Sequence, residues 1–305
     1  MKTEFHLPQS GFRIIKLQRS CRLLLFATVL GLLAGCVKDD LYDTPHPDKG
    51  AIVVQMDWSG VSPEAIPDDY VLNVDGKEQT ASGTTAVVEQ LVEPGEHTLL
   101  IYNRPEGITI EGDVASVDEV TATAKAKARA EELFIQPLPG YLFTAWQKIT
   151  VVPDDTLRVK LPMAQRTRDL QFELTVTEGN PELIRSVTAK LDGIAGAFDL
   201  VARQTFGEAK ATNLIFTRNA AKLTASARLL GTLGTVQTLT LEIAFTDRQE
   251  PQITEVDLTE AMTAFNTTMS VGFEIKGNVE TPIGMDATAT ITDWNDVEGD
   301  PVEAM

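Results

Sequence analysis

Apolar residues recur at every second position through several short stretches of this chain. In residues 169–176, DLQFELTV, Leu170, Phe172, Leu174 and Val176 fall on one side, and Gln171, Glu173 and Thr175 on the other. In 238–245, TLTLEIAF, Leu239, Leu241, Ile243 and Phe245 oppose Thr240, Glu242 and Ala244. The same period runs through 51–58 (Ile52, Val54, Met56, Trp58), 155–161 (Leu157, Val159, Leu161) and 270–279 (Val271, Phe273, Ile275, Val279). A period of two places successive side chains on opposite faces, so these stretches predict strands with one face in a core and one in water, as antiparallel sheets have. Turn residues fall between them. Asp75-Gly76 in VDGK is a pair that accepts positive φ in a two-residue hairpin. Pro94-Gly95 precedes EHTLLIYN, and Pro139-Gly140 precedes YLFTAW. Short strands punctuated by Gly and Pro argue for β-sandwiches over βαβ units.

Three stretches fit this pattern less well. Residues 119–134, EVTATAKAKARAEELF, read either as a short Ala-rich helix or as an alternating strand. Residues 181–191, PELIRSVTAKL, look helical locally because Pro181 suits a first helical turn, but Val187, Ala189 and Leu191 alternate, which favours a strand over 184–201. Residues 256–266, VDLTEAMTAFN, predict a short helix with Thr259 as its cap.

The polar and basic run PMAQRTR at 162–168 separates two strong strand patterns and marks the expected domain boundary. The sequence therefore predicts an all-β protein of two tandem antiparallel β-sandwich domains, over 51–165 and 166–297, closed by an acidic tail at 298–305.

Ahead of these domains the chain changes character. Lys2, Arg13, Lys16, Arg19 and Arg22 precede a short apolar run from Leu23 to Ala34. That run is about a dozen residues, well short of the roughly 20 needed to span a bilayer. Basic residues, a short apolar core and small residues before a cut describe a secretory signal over residues 1–35. Leu33-Ala34-Gly35-Cys36 resembles the lipobox of bacterial lipoproteins. That resemblance implies cleavage between Gly35 and Cys36, with acyl chains such as palmitate on the Cys36 sulfur and its new amino group. Several acyl chains anchor a protein stably, each buried methylene contributing about 0.8 kcal/mol. Lys38, Asp39 and Asp40 resemble the lysine-plus-acid tag that sends some lipoproteins to the outer face of the outer membrane. Residues 36–50, rich in Pro and Asp, then read as a solvated tether.

Removing residues 1–35 takes away five of the 26 Lys and Arg but one of the 44 Asp and Glu, which moves the formal charge from −18 to −22. So acidic a surface repels phosphate backbones, which excludes nucleic acid as a partner. Cys21 leaves with the signal and Cys36 is the lipid site, so burial rather than a disulfide must hold the fold.

Signs of chemistry are thin. His46 lies in the tether and His97 in a predicted strand, and there is no G-x-S-x-G, H-E-x-x-H, C-x-x-C or P-loop. The sequence thus predicts no enzyme, no cofactor and no metal site. The acidic end, Asp293 to Asp300, lacks the spacing of a calcium loop and reads as a solvated tail. Trp58, Trp146 and Trp294 are candidates either for sugar stacking or for packing at the core or an edge.

CVKDDLYD, GAIVVQMDWS, YVLNVDGKEQ, EPGEHTLLIYNRPEGITIEG, the run from PLPGYLFTAWQ to LQFELTV, LDGIAGAFDLVARQ and the closing ATITDWN together resemble the fimbrial anchor lipoproteins of type V pili, FimB-like members of the fimbrillin-associated superfamily. The resemblance implies transthyretin-like sandwiches, an outer-membrane lipid anchor, fimbrillin or other pilus subunits as partners, and a role as an anchor or accessory subunit that limits fibre length by occupying its base. Such pili polymerise by strand exchange after cleavage at an arginine. Between Cys36 and Arg104 this chain has no arginine, so an arginine-specific protease finds no site ahead of or within the first strand. MDATATITDWN at the C-terminal end is a candidate donor strand, the other reading being a packed last strand. The second functional reading is a surface glycan-binding lipoprotein beside an outer-membrane sugar importer.

Overall fold

The computed structural model describes residues 47–121, 133–281 and 290–301, the last by backbone alone. The signal, Cys36 and its neighbours therefore lie outside the described residues. The chain is almost entirely strand: β1 (Ala51–Asp57), β2 (Asp69–Val74), β3 (Lys77–Ser82), β4 (Thr85–Val87), β5 (Gly95–Tyr102), β6 (Ile108–Glu111), β7 (Val114–Val117), β8 (Glu119–Thr121), β9 (Leu133–Ile135), β10 (Phe143–Val151), β11 (Thr156–Pro162), β12 (Ala164–Gln165), β13 (Arg168–Glu178), β14 (Ile184–Asp199), β15 (Gln204–Asn219), β16 (Lys222–Leu229), β17 (Thr238–Phe245), β18 (Gln252–Asp257), β19 (Val271–Glu280) and β20 (Thr290–Pro301).

The first half of the chain pairs a three-stranded sheet, ordered β11-β1-β4, with a five-stranded sheet, ordered β12-β10-β5-β2-β3. Ile52, Val54 and Met56 of β1 and Val159 and Leu161 of β11 meet Leu72, Leu99, Ile101, Phe143 and Ile149 in one core. The alternation read from the sequence puts those residues inward. In the second half the strands run β18-β17-β14-β15-β16-β13-β19-β20. This sheet turns over through the long β15, so that Val187, Leu191, Leu239 and Leu241 face Leu170, Phe172, Leu223, Phe273 and Ile275 across a second core. Three pairs depart from the antiparallel expectation: β1 runs parallel to β11, β13 to β19 and, at a single position, β9 to β15.

The middle of the five-stranded sheet, in β2 and the second half of β5, is buried on both faces. Leu72, Val74, Leu99 and Ile101 point into the first core, while Val71, Leu100 and Tyr102 point into the second. Strands β6 to β9, expected within the first sandwich, join the sheet of the second half instead. β7 pairs with β14, Phe198 facing Ala115, and β9 meets β15 at Thr212 and Ile135. Residues Pro47–Met305 accordingly form one compact unit.

Of the three ambiguous stretches, 181–183 is a single 3-10 turn capped by the Asn180 side chain, and 184–199 is strand. Residues 119–121 and 133–135 are strands that pair with each other, and 122–132 lie outside the described residues. The helix expected at 256–266 is not formed: β18 extends to Asp257 and a succession of turns follows. Met262 N–H reaches the Leu258 carbonyl at 2.8 Å, but Phe265 N–H reaches Met262 and Thr267 N–H reaches Ala264, three residues back. The carbonyls of Ala264 and Phe265 accept from Arg168 Nη1 at 3.1 and 2.6 Å, which ties the last of these turns to a buried side chain. Nor is Thr259 the cap. Its N–H donates to Asp257 Oδ1 at 2.8 Å, and its own hydroxyl accepts from Gln237 N–H at 3.0 Å.

The Asp75-Gly76 hairpin has the expected geometry, with φ of 50° and 85° and Val74 facing Lys77. Its aspartate also holds the next strand. Asp75 Oδ1 accepts from Thr98 N–H at 2.7 Å and Oδ2 lies 2.6 Å from His97 Nδ1, while His97 Nε2 lies 2.7 Å from the Glu93 carbonyl. Acceptors on both ring nitrogens favour the imidazolium, and the Asp75 hydrogen bond is the largest cause that raises the His97 pKa.

Two outcomes follow. A pKa raised on folding adds stability that is fully present below the unfolded imidazole's 6.5 and is lost as pH rises through the folded value. The Tm should therefore fall as pH rises above about 6.5, with a shallower fall in His97→Gln; equal slopes in thermal melts would refute the assignment. Arg168→Met removes the bonds to the Ala264, Phe265 and Val271 carbonyls, of which Ala264 keeps those from Thr267. It should cost at least about 3 kcal/mol in urea unfolding, and a cost under about 1 kcal/mol would mean that these bonds are dispensable.

Candidate functional site

The first strand is the part of this molecule whose placement bears most on how it could join a fibre. β1 occupies the middle of its sheet, facing β11 over seven positions, Ala51 with Thr156 through Asp57 with Pro162, and β4 over three. Bonds outside the ladders extend the pairing: Ala51 N–H donates to the Asp155 carbonyl and Met163 N–H to the Asp57 carbonyl, both at 2.9 Å. Gly50 is bonded in both directions to Val92, and a Cβ there would collide with the Val152 carbonyl oxygen, so the chain threads tightly into the strand. Ile52 and Val54 are wholly buried. At the far end Lys160 Nζ lies 2.9 Å from Asp57 Oδ2, and this hydrogen bond, with those from Ser59, lowers the Asp57 pKa to about 2.

The last strand is held differently. Among the described residues β20 pairs with β19 alone, from Val271 with Pro301 to Glu280 with Thr290, and so forms an edge of the larger sheet. The candidate donor segment 285–295 is thus described only from Thr290 on, as a strand bonded to one neighbour. An edge strand exposes a row of backbone groups to a further strand.

Between the two halves lies a set of buried polar groups that the sequence reading took for a spacer. Gln165, Thr167 and Arg168 are all buried. Gln165 Nε2 donates to the Thr167 and Met269 carbonyls at 2.7 and 3.0 Å, and Thr167 Oγ1 accepts from Leu142 N–H at 3.1 Å. Asn103 bonds the backbone of both Tyr141 and Phe143 at 2.7 Å. Arg168 stacks its guanidinium 4.8 Å from the Phe273 ring centre and 5.4 Å from that of Phe265. Nearby, Arg228 lies 3.5 Å over the Tyr141 ring, pairs with Asp169 at 2.6 Å and donates to the Pro139 carbonyl. Burial, followed by the hydrogen bond to Asp169, pushes the Tyr141 hydroxyl up to about 12. One signal of this was present in the sequence: Arg168 shares the parity of Leu170, Phe172 and Leu174, and so continues the inward face of β13.

The partners of His97 are a hairpin carboxylate and a backbone carbonyl, which hold the ring in place as a structural group. Among the described residues, no three His, Cys, Asp or Glu side chains gather as metal ligands. Of the tryptophans, Trp58 is 7% exposed and packs edge-on to Phe143 at 5.5 Å, so its face is not offered to a sugar. Trp146 is half-buried against the second core, and the Trp294 side chain lies outside the described residues.

Comparison with known proteins bears on the fold and on the family. No curated protein matches the chain. A candidate adhesin from Bacteroides ovatus has a similar structure at 16% identity, covering 82% of this chain and 94% of that one, with a TM-score of 0.56. The fimbrial anchor protein Mfa2 from Porphyromonas gingivalis is similar at 11% identity over 83% of this chain and 100% of its own, with a TM-score of 0.51. Another candidate adhesin from Bacteroides ovatus gives 9% identity, 86% and 98% coverage and a TM-score of 0.51. At such identities these likenesses speak for the fold. The family model of the fimbrillin-A associated anchor proteins Mfa1 and Mfa2 matches residues 68–299, and by that match over most of its length the chain belongs to this family.

Proposed function

We propose that this protein is a non-catalytic anchor or accessory subunit of a fimbria. It is held to the outer membrane by acyl chains on Cys36 and binds fimbrillin or other pilus subunits by strand-mediated contacts. Family membership supports the fimbrial role. The observation that carries the anchoring role is the state of β1. A subunit inside a strand-exchange fibre must give up its first strand, leaving a groove for its neighbour's strand. Here that strand is bonded on both sides and supplies Ile52, Val54 and Met56 to the core, and no arginine lies between Cys36 and Arg104. A chain that keeps both its first strand and its lipid can end a fibre at the membrane, and by ending it limits its length.

In this reading Gly35 and Cys36 form the cleavage site, and Lys38, Asp39 and Asp40 direct the lipoprotein to the outer face of the membrane. Residues 36–50 serve as the tether. The two halves correspond to the transthyretin-like sandwiches of 51–165 and 166–297, with 108–135 of the first lent to the sheet of the second. The partner strand adds at the β20 edge.

Cys36→Ser should move the protein from the membrane pellet to the soluble fraction; if it stays as firmly bound, the anchor is elsewhere. Deleting residues 285–305 should shed fimbriae into the medium while the truncated protein remains on the membrane and protease-resistant. Retention of fimbriae by a folded truncation would remove β20 as the contact.

A further inference from the structure

The register of the first half assigns its two ends to different attachments. At one end lie Gly50 with Val92, Ala51 with Thr156, and Gly95 with Val151. At the other lie Asp57 with Pro162, Tyr102 with Thr144, and Phe143 with Gln165. The chain arrives from residues 36–49 at the first end. All three of its passes into the second half, after Tyr102, before Phe143 and after Gln165, leave from the other end. Tension between a lipid on Cys36 and a fibre held by the second half thus runs along the strands, entering at the N-terminal end of β1 and leaving at the C-terminal end of β11.

We infer that the parallel β1–β11 pair is a mechanical clamp that resists extraction of the anchored strand. Parallel strands pulled from opposite ends slide past one another, so all seven register positions of the pair, and the three with β4, are strained together. Pulled from the same end they would open one position at a time. Packing adds to this. A slip of one residue would turn Val53 and Gln55 into the core in place of Ile52, Val54 and Met56, so the strand must move by two residues or not at all. The Lys160–Asp57 pair and the Met163 N–H bond to the Asp57 carbonyl brace the far end. Rupture under force is governed by the unfolding barrier and not by equilibrium stability, so direction of pull decides it. The inference rests on the tether reading above only for the direction of the load.

The test is single-molecule stretching of the chain from Cys36 onward, which has no other cysteine. One variant places a second thiol handle at the far end by Glu106→Cys, an exposed position, and another places it at the near end by Val152→Cys, where the side chain is 53% exposed. Pulled between 36 and 106, β1 is sheared; pulled between 36 and 152, the same β1–β11 pair is unzipped. The shear geometry should need several-fold more force at equal loading rate, with matching melting temperatures for the two variants. Equal forces in both geometries would overturn the clamp. Because the handles replace the lipid, the result is independent of whether Cys36→Ser releases the protein from membranes.

Discussion

Along β5, Leu99 and Ile101 point one way and Leu100 and Tyr102 the other, and neither pair reaches solvent. The remaining architecture depends on this. A sheet covered on one side only would leave Val71, Leu100 and Tyr102 wet, and each is worth about 1.5–3 kcal/mol when buried. By comparison, the partly exposed Arg228–Asp169 pair contributes about 1 kcal/mol or less. Apolar cover therefore joins the halves, and the polar groups at the junction fix the angle and register at which that cover is made. Gln165 and Thr167 do this by bonding the backbone of Met269 on one side of the seam and of Leu142 on the other, where an unmet group would be costly.

Much of the fold was legible in the sequence because strand alternation is a local property. The patterns in β1, β11, β13, β17 and β19 each gave the inward face, and Asp75-Gly76 gave its hairpin. The parallel pairing of β1 with β11 was not legible, because alternation names a strand's inward face and not its neighbour. The double burial of the central sheet did leave a trace. LLIY at 99–102 and YVL at 70–72 are unbroken apolar runs, which is how strands covered on both faces read. The helix expected at 256–266 gives way to turns although Leu258, Met262 and Phe265 have helical spacing and are buried: β18 runs on to Asp257, and the bonds from Phe265 and Thr267 close three residues back. The run QRTR looked like a spacer because polar residues usually are; its parity with Leu170 was the contrary sign.

The candidate site was legible in a different way. The features that bear on function are strand positions: a first strand enclosed by two neighbours and, among the described residues, a last strand with one. Such a site consists of backbone, so no motif marks it. What the sequence contributed was the run of 67 residues between Cys36 and Arg104 without an arginine, which gains meaning once β1 is seen to be enclosed.

The excursion of residues 108–135 into the second sheet means that the polypeptide crosses the seam three times. A single peptide-bond cut at one crossing, such as after the exposed Arg104, leaves two covalent strands across the seam and the shared apolar layer intact. The molecule would then migrate as two fragments on a denaturing gel yet remain one particle in solution. In surroundings rich in proteases, this stitching gives an attachment protein tolerance to nicking that two sandwiches on a single linker would lack.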